Sequence, residues 1–150
     1  MVQRSAGLLI FRHGRRGSEV LLVHPGGPFW RNKDVGAWQI PKGLIEPGEA
    51  ADETARREAK EELGVVIAGP LHPLGEIRQK GGKVVEAFAV EADFDAGAIR
   101  SMAFEVEWPP RSGRRQSFPE VDAARWFTLD QARDMMLESQ RPLLDRLIVR

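Results

Sequence analysis

The chain has 150 residues, with 22 Lys plus Arg against 22 Asp plus Glu, 42% hydrophobic and 29% charged. That length suits one well-buried domain, 1–150, and is short for two. Balanced charge gives no global field to gather a polyanion, which argues against nucleic acid as a partner. The absence of cysteine excludes disulfide scaffolds, thiol nucleophiles and thiolate metal sites.

The apolar run within Met1–Phe11 is too short for a secretory core, and no stretch approaches a membrane span. A cytoplasmic protein with no membrane partner is expected. Residues 6–11 and 19–23 read as buried strands around a basic, Gly-containing turn at 12–17. Pro25-Gly-Gly-Pro28 opens a loop bearing Trp30, Arg31 and Lys33, and residues 38–40 read as a short strand stopped by Pro41. Residues 49–63 give the clearest helix, with acids in its first turn, Gly64 as C-cap, and Ala51, Ala55, Ala59 and Leu63 as its apolar stripe.

Further strands are expected at 65–68, 74–79, 84–93 and 103–108, with Lys80-Gly-Gly-Lys83 as a hairpin turn. Lys83 after two glycines lacks the rest of a phosphate-binding loop and is read as part of that turn. Residues 109–119 form a basic loop, and 121–127 an extended segment. Thr128-Leu-Asp-Gln131 is a capping box for a helix over 132–137, and a last helix covers 141–148. Strands, helix, strands, then helices predict an α+β domain with a mixed sheet between helices.

The site signal lies in the first helix. Glu58, Glu61 and Glu62 fall within one turn and cover an arc of about 100°. Like charges at that spacing repel, and a hard divalent cation seeking carboxylate oxygens resolves the repulsion. The full frame is Gly43, five residues, Glu49, seven residues, Arg57-Glu58, an apolar residue, any residue, Glu61-Glu62, any residue, Gly64, an apolar residue. A chance match at a given start is on the order of 10⁻⁹ from average residue usage. A solvated glutamate face, the plain reading of three acids on a helix, does not require the rest of that frame.

This frame resembles the Nudix box at every defined position, with Ala59 and Val65 in the apolar slots. Trp38-Gln-Ile-Pro-Lys42 ahead of it resembles the "W-x-x-P-K-G" entry of many Nudix hydrolases, and the stretch 120–129 resembles their late strand leading into a helix. The resemblance implies a Nudix-type α/β/α sandwich that hydrolyses a nucleoside diphosphate linked to another moiety, with Mg²⁺ or Mn²⁺. It implies Glu58, Glu61 and Glu62 as metal-binding carboxylates, one of them a possible base, and the Gly43 carbonyl as a further ligand. Glu49 and Arg57 match a pair that holds the loop against the helix.

Outside the box, Glu120 is the first choice for an added acid, with Glu105 and Glu107 as alternatives on one strand face. Lys42 either touches phosphate or stands in solvent. Arg111, Arg114 and Arg115 offer the same alternatives, with Arg115 the substrate-binding candidate among them. Trp30 and Trp38 are candidates to stack on a base, and Trp126 reads as core. His13, His24 and His72 share no ligand spacing and receive no role. The expected partner is a small nucleotide, bound by a monomer or homodimer. The phrase from Pro41 to Glu49 is similar to that of diadenosine polyphosphate hydrolases. Nucleoside triphosphates and nucleotide sugars stay open, as do a non-catalytic regulatory module and an RNA-cap hydrolase.

Overall fold

The computed structural model describes residues 2–148. Met1, Val149 and Arg150 lie outside the described residues, so the expected span 1–150 runs past them. Strand β1 (Arg4–Gly14) is the centre of the sheet, and Ala6, Leu8, Leu9 and Ile10 in it are fully buried. A continuous apolar run of this kind is what a strand covered on both faces requires.

β1 pairs in parallel with β5 (Val84–Glu91) on one side. On its other side it pairs antiparallel with β3 (Lys42–Leu44) through Ser5–Gly7 and with β2 (Gly17–Pro25) through Ile10–Gly14. β4 (His72–Arg78) and β8 (Val121–Thr128) complete a mixed sheet in the order β4-β5-β1-β2-β8. β6 (Ala103–Glu107) and β7 (Arg115–Pro119) form a separate hairpin.

Helix α1 (Ala51–Leu63) covers one face of the sheet, with Ala55, Ala59 and Leu63 packed on Ala6, Leu8 and Ile10. Helices α2 (Leu129–Met135) and α3 (Pro142–Ile148) cover the other, where Ala132, Leu143 and Leu144 meet Leu9, Val20 and Leu22. The fold is therefore the expected α+β arrangement, an α/β/α sandwich around a mixed sheet. Leu63 is fully buried, and its truncation to Ala costs about 2–5 kcal/mol by transfer and cavity terms. No helix among the described residues is long and apolar enough to cross a membrane.

Several local expectations fail for identifiable reasons. Residues 65–68 form no strand. The Arg56 guanidinium takes the Ile67 and Gly69 carbonyls at 2.6 and 2.9 Å, so a side chain replaces a ladder there. Residues 38–40 make only isolated bridges: Gln39 exchanges both backbone bonds with Val23, and the Ile40 N–H donates to Gln140 Oε1 at 2.9 Å. The strand forms at Lys42–Leu44 instead. Gly7 admits it, because a Cβ there would collide with the Pro41 carbonyl oxygen and the Lys42 side chain.

α1 starts at Ala51, since Gly48 takes a positive φ of 83° and Glu49 is engaged in the loop. Its other end closes on Gly64 at φ 71°, as expected of a left-handed cap. The turn between β1 and β2 shrinks to Arg15 and Arg16, and residues 115–119 are strand rather than loop. Thr128 caps α2 through its bond from the Gln131 N–H (3.2 Å), so that helix begins at Leu129, ahead of the expected 132.

Candidate active site

Arg57 is the hub of the box. Its guanidinium clasps Glu49 with two bonds, 2.6 and 3.0 Å, and also donates to Glu58 at 3.0 Å, to Glu61 at 3.3 Å and to the Leu44 carbonyl at 3.1 Å. Glu49 additionally accepts from the Thr54 hydroxyl (2.7 Å) and the Glu46 N–H (3.1 Å). The Arg57 guanidinium, then the Thr54 hydroxyl, hold the Glu49 carboxyl down at about 2. The pair thus fixes the loop 44–49 to the helix and orients two of its glutamates from behind.

Glu58 lies flat against Gly43, where any Cβ would collide with its carboxyl group. That close approach is the physical reason for glycine at the head of the box. Glu62 is only 8% exposed and accepts the Lys42 N–H at 2.9 Å, tying β3 to α1. Burial, then the neighbouring Glu58 charge, pushes the Glu62 carboxyl well above the usual carboxylate range. Burial and the charge of Glu61 raise Glu58 in the same direction. Burial also lowers the Lys42 ammonium.

Glu120 arrives from the far end of the chain by a backbone relay. The Met102 N–H donates to the Glu61 carbonyl at 2.8 Å, and the Glu120 N–H donates to the Met102 carbonyl at 2.8 Å. The Glu120 carbonyl in turn accepts from Gly26 at 2.9 Å, where a Cβ would strike the Pro119 carbonyl. As a result, carboxylate oxygens of Glu58, Glu61 and Glu120 lie within 4.8 Å of one another. Burial and Glu61 raise the Glu120 carboxyl as well. Each fully ionised pair at that distance repels by on the order of 3 kcal/mol at an effective dielectric of about 20. An all-oxygen, multiply anionic donor set in this state fits a hard divalent cation such as Mg²⁺ or Mn²⁺.

A cleft of about 400 Å³ opens beside the cluster. Glu58, Glu62, Glu120 and Lys42 line it, together with Trp30 and Phe104. Trp38 is absent from that lining, against expectation. It is 4% exposed, its indole N–H donates to Asp34 Oδ1 at 2.8 Å, and its ring meets Phe127 edge-on at 5.2 Å. Trp38 is core. Arg115 is also absent: it stands exposed on β7, paired with Glu105 at 3.3 Å. Glu107, the other alternative acid, accepts the Arg111 and Gly113 N–H groups at the hairpin tip. Sequence reasoning missed Phe104, whose only signal is a large aromatic residue exposed on a polar hairpin strand.

Fold and site together define a domain that gathers carboxylates beside an aromatic-walled cleft of nucleotide size. The chain belongs to the Nudix family, whose NUDIX domain pattern matches residues 1–147. It is 30% identical over 138 residues to an asymmetrical bis(5'-nucleosyl)-tetraphosphatase of Sus scrofa, covering 88% of this chain and 83% of that one. A 34-residue stretch is 56% identical to an RNA pyrophosphohydrolase of Erythrobacter litoralis, covering 23% of this chain and 21% of that one. Among solved structures, a C. elegans Ap4A hydrolase binary complex superposes with a TM-score of 0.69 at 21% identity, over 97% of this chain and 96% of that one.

Proposed function

We propose that the protein is a divalent-metal-dependent pyrophosphohydrolase that cleaves a phosphoanhydride in a nucleoside diphosphate linked to another moiety. The observation that carries this reading is the convergence of Glu58, Glu61 and Glu120, two of which line a cleft shared with Trp30 and Phe104. Carboxylates and aromatic rings lining one cleft match the chemistry of the two halves of a nucleotide. Glu58 and Glu61, joined by Glu62 and the Gly43 carbonyl that the family resemblance adds, would hold Mg²⁺ or Mn²⁺, with Glu120 at the edge of the set. Such an ion offsets charge on the diphosphate and lowers the pKa of a water molecule.

The chain's own groups divide the remaining work. Arg57 keeps Glu58 and Glu61 aimed at the cleft, and the Lys42 ammonium faces the phosphates. Glu120 carries no side-chain hydrogen bond among the described residues, which leaves it free to accept the proton of the attacking water. Water adds to one phosphorus, the bridging P–O bond breaks, and the departing phosphate takes the electron pair. Trp30 and Phe104 hold the base, whose stacking is worth about 1–3 kcal/mol.

A dinucleoside polyphosphate is the preferred substrate class, supported by similarity to the tetraphosphatase over most of both chains. The protein would work in the cytoplasm on a soluble nucleotide, as a monomer or homodimer. The test is a panel of dinucleoside polyphosphates, nucleoside triphosphates, nucleotide sugars and a short 5'-triphosphate RNA with Mg²⁺ and with Mn²⁺, the products identified. Fastest turnover of a dinucleoside polyphosphate supports the substrate class. Preference for the RNA would favour the RNA-end reading that the short matching stretch carries. No turnover on any member would leave a binding module.

A further inference from the structure

His24 received no role from the sequence, yet it is 7% exposed and fully engaged. It sits at the register shift of β2 against β8. Its Nδ1 lies 2.8 Å from Asp122 Oδ1, and its Nε2 lies 2.5 Å from the Lys33 carbonyl oxygen. The Lys33 carbonyl oxygen can only accept, so Nε2–H donates in that contact, and Asp122 meets the other ring nitrogen. His24 does not line the cleft and touches no group of the carboxylate cluster.

What the ring holds is the loop that carries Trp30. The Lys33 carbonyl accepts from His24, and the Lys33 N–H donates to the Trp30 carbonyl at 2.9 Å. One residue, Lys33, therefore connects the buried imidazole to the aromatic wall. Farther along, Asp34 is anchored by the indole N–H of Trp38, whose ring packs edge-on against His24 at 5.3 Å. The near end of the loop is tied by the Gly26 N–H to the Glu120 carbonyl. Phe29 in the same loop is 66% exposed; it meets the Trp30 ring edge-on at 5.2 Å and carries the Lys33 ammonium 3.6 Å from its ring centroid, so both rings ride on the loop together. The loop has little apolar burial of its own to fix Trp30, which leaves the polar brace to do so.

We propose that His24, held between Asp122 and the Lys33 carbonyl, is a positioning residue that fixes Trp30 as a wall of the cleft and thereby sets affinity for the base of a nucleotide. This rests on the reading that the base lies against Trp30. A glutamine at 24 can donate from one end only, so it keeps the bulk and breaks one arm of the brace.

The test compares ADP with base-free methylenediphosphonate, each with Mn²⁺, by calorimetry on wild type, His24→Gln, Trp30→Ala and the double variant. His24→Gln should weaken ADP about ten-fold, the equivalent of one lost hydrogen bond, while diphosphonate affinity stays within about two-fold. In the Trp30→Ala background it should add nothing, because the two act on one contact. Equal loss on both ligands, or additive loss in the double variant, overturns the positioning role.

If Trp30→Ala leaves ADP affinity unchanged, the base-end reading itself fails. The brace is then decided by backbone amide exchange: faster exchange confined to residues 26–34 in His24→Gln upholds it, and unchanged exchange there overturns it. Asp122→Ala removes the other partner from a side chain already 40% exposed, with less at stake in folding. It should reproduce the same pattern with a smaller loss, and an unchanged ADP affinity in it counts against the brace.

Discussion

The carboxylate end of the cleft and its aromatic wall are built by different means. Glu58, Glu61 and Glu62 leave about one turn of a single helix, which packs through Ala55 and Ala59, and Arg57 braces Glu58 and Glu61 from behind. Trp30 and Phe104 come from a loop and from a hairpin strand outside the main sheet, each beside one aromatic neighbour, Phe29 and Phe118. Rigid geometry at the first end suits chemistry, where small displacements are expensive. Looser construction at the second suits recognition, which tolerates variation among substrates. Glu120 belongs to both, since its backbone joins Met102 on the helix side and Gly26 on the loop side.

Breaking the two ends separately should give different kinetic signatures. The largest effect is expected from Glu58→Gln, with kcat lower by about 10²–10³-fold in a folded protein. Thermal unfolding should show the apo variant at least as stable as wild type, because a raised, repelled carboxylate has been neutralised. Arg57→Ala should lower kcat by about 10–100-fold, as for other groups that orient ligands, and should also lower the melting temperature. At the other end, Trp30→Ala should raise KM about ten-fold with kcat nearly unchanged, as expected from the loss of one base-stacking contact. Steady-state kinetics on one nucleotide substrate checks all three. The smallest effect belongs to Arg115→Ala, which should leave KM and stability within error, because an exposed ion pair contributes about 0–1 kcal/mol.

The clasp acid Glu49 and the cleft acids are shifted in opposite directions. Glu49 is depressed to about 2, so its contribution to stability is present above the ordinary carboxylate range and is lost as pH falls toward about 2. Glu58, Glu62 and Glu120 are raised, so the folded apo protein favours their protonated forms. Their ionisation costs stability as pH rises through those raised values, and a bound cation cancels that cost. Melting curves should therefore show a larger stabilisation by Mg²⁺ at pH 8 than at pH 5. Glu49→Gln should flatten the acid limb below about pH 4.5.

The same division explains what the sequence disclosed. Within the first helix much was legible: helical spacing put three glutamates on one face, Gly64 marked the cap, and the resemblance named Arg57 and Glu49 as the loop clasp. Glu120 was reachable only through resemblance and its place beside a loop, because a backbone relay through Met102 delivers it. Trp38 misled because aromatic content near a flexible loop reads alike for core and for a stacking wall. Only the long-range contacts with Phe127 and His24 separate the two. The extended segment after Gly64 looked like a strand because side-chain capture of carbonyls by Arg56 leaves no periodic mark. Phe104 and His24 were invisible for a related reason: each works through a tertiary partner.

The most direct test of the central claim is turnover of a dinucleoside tetraphosphate by wild type and Glu58→Gln, each with Mg²⁺ and with EDTA. Hydrolysis that requires the metal and falls by at least about 10²-fold in the folded variant is the predicted result. Hydrolysis that survives EDTA, or a folded Glu58→Gln that works at the wild-type rate, would contradict the account.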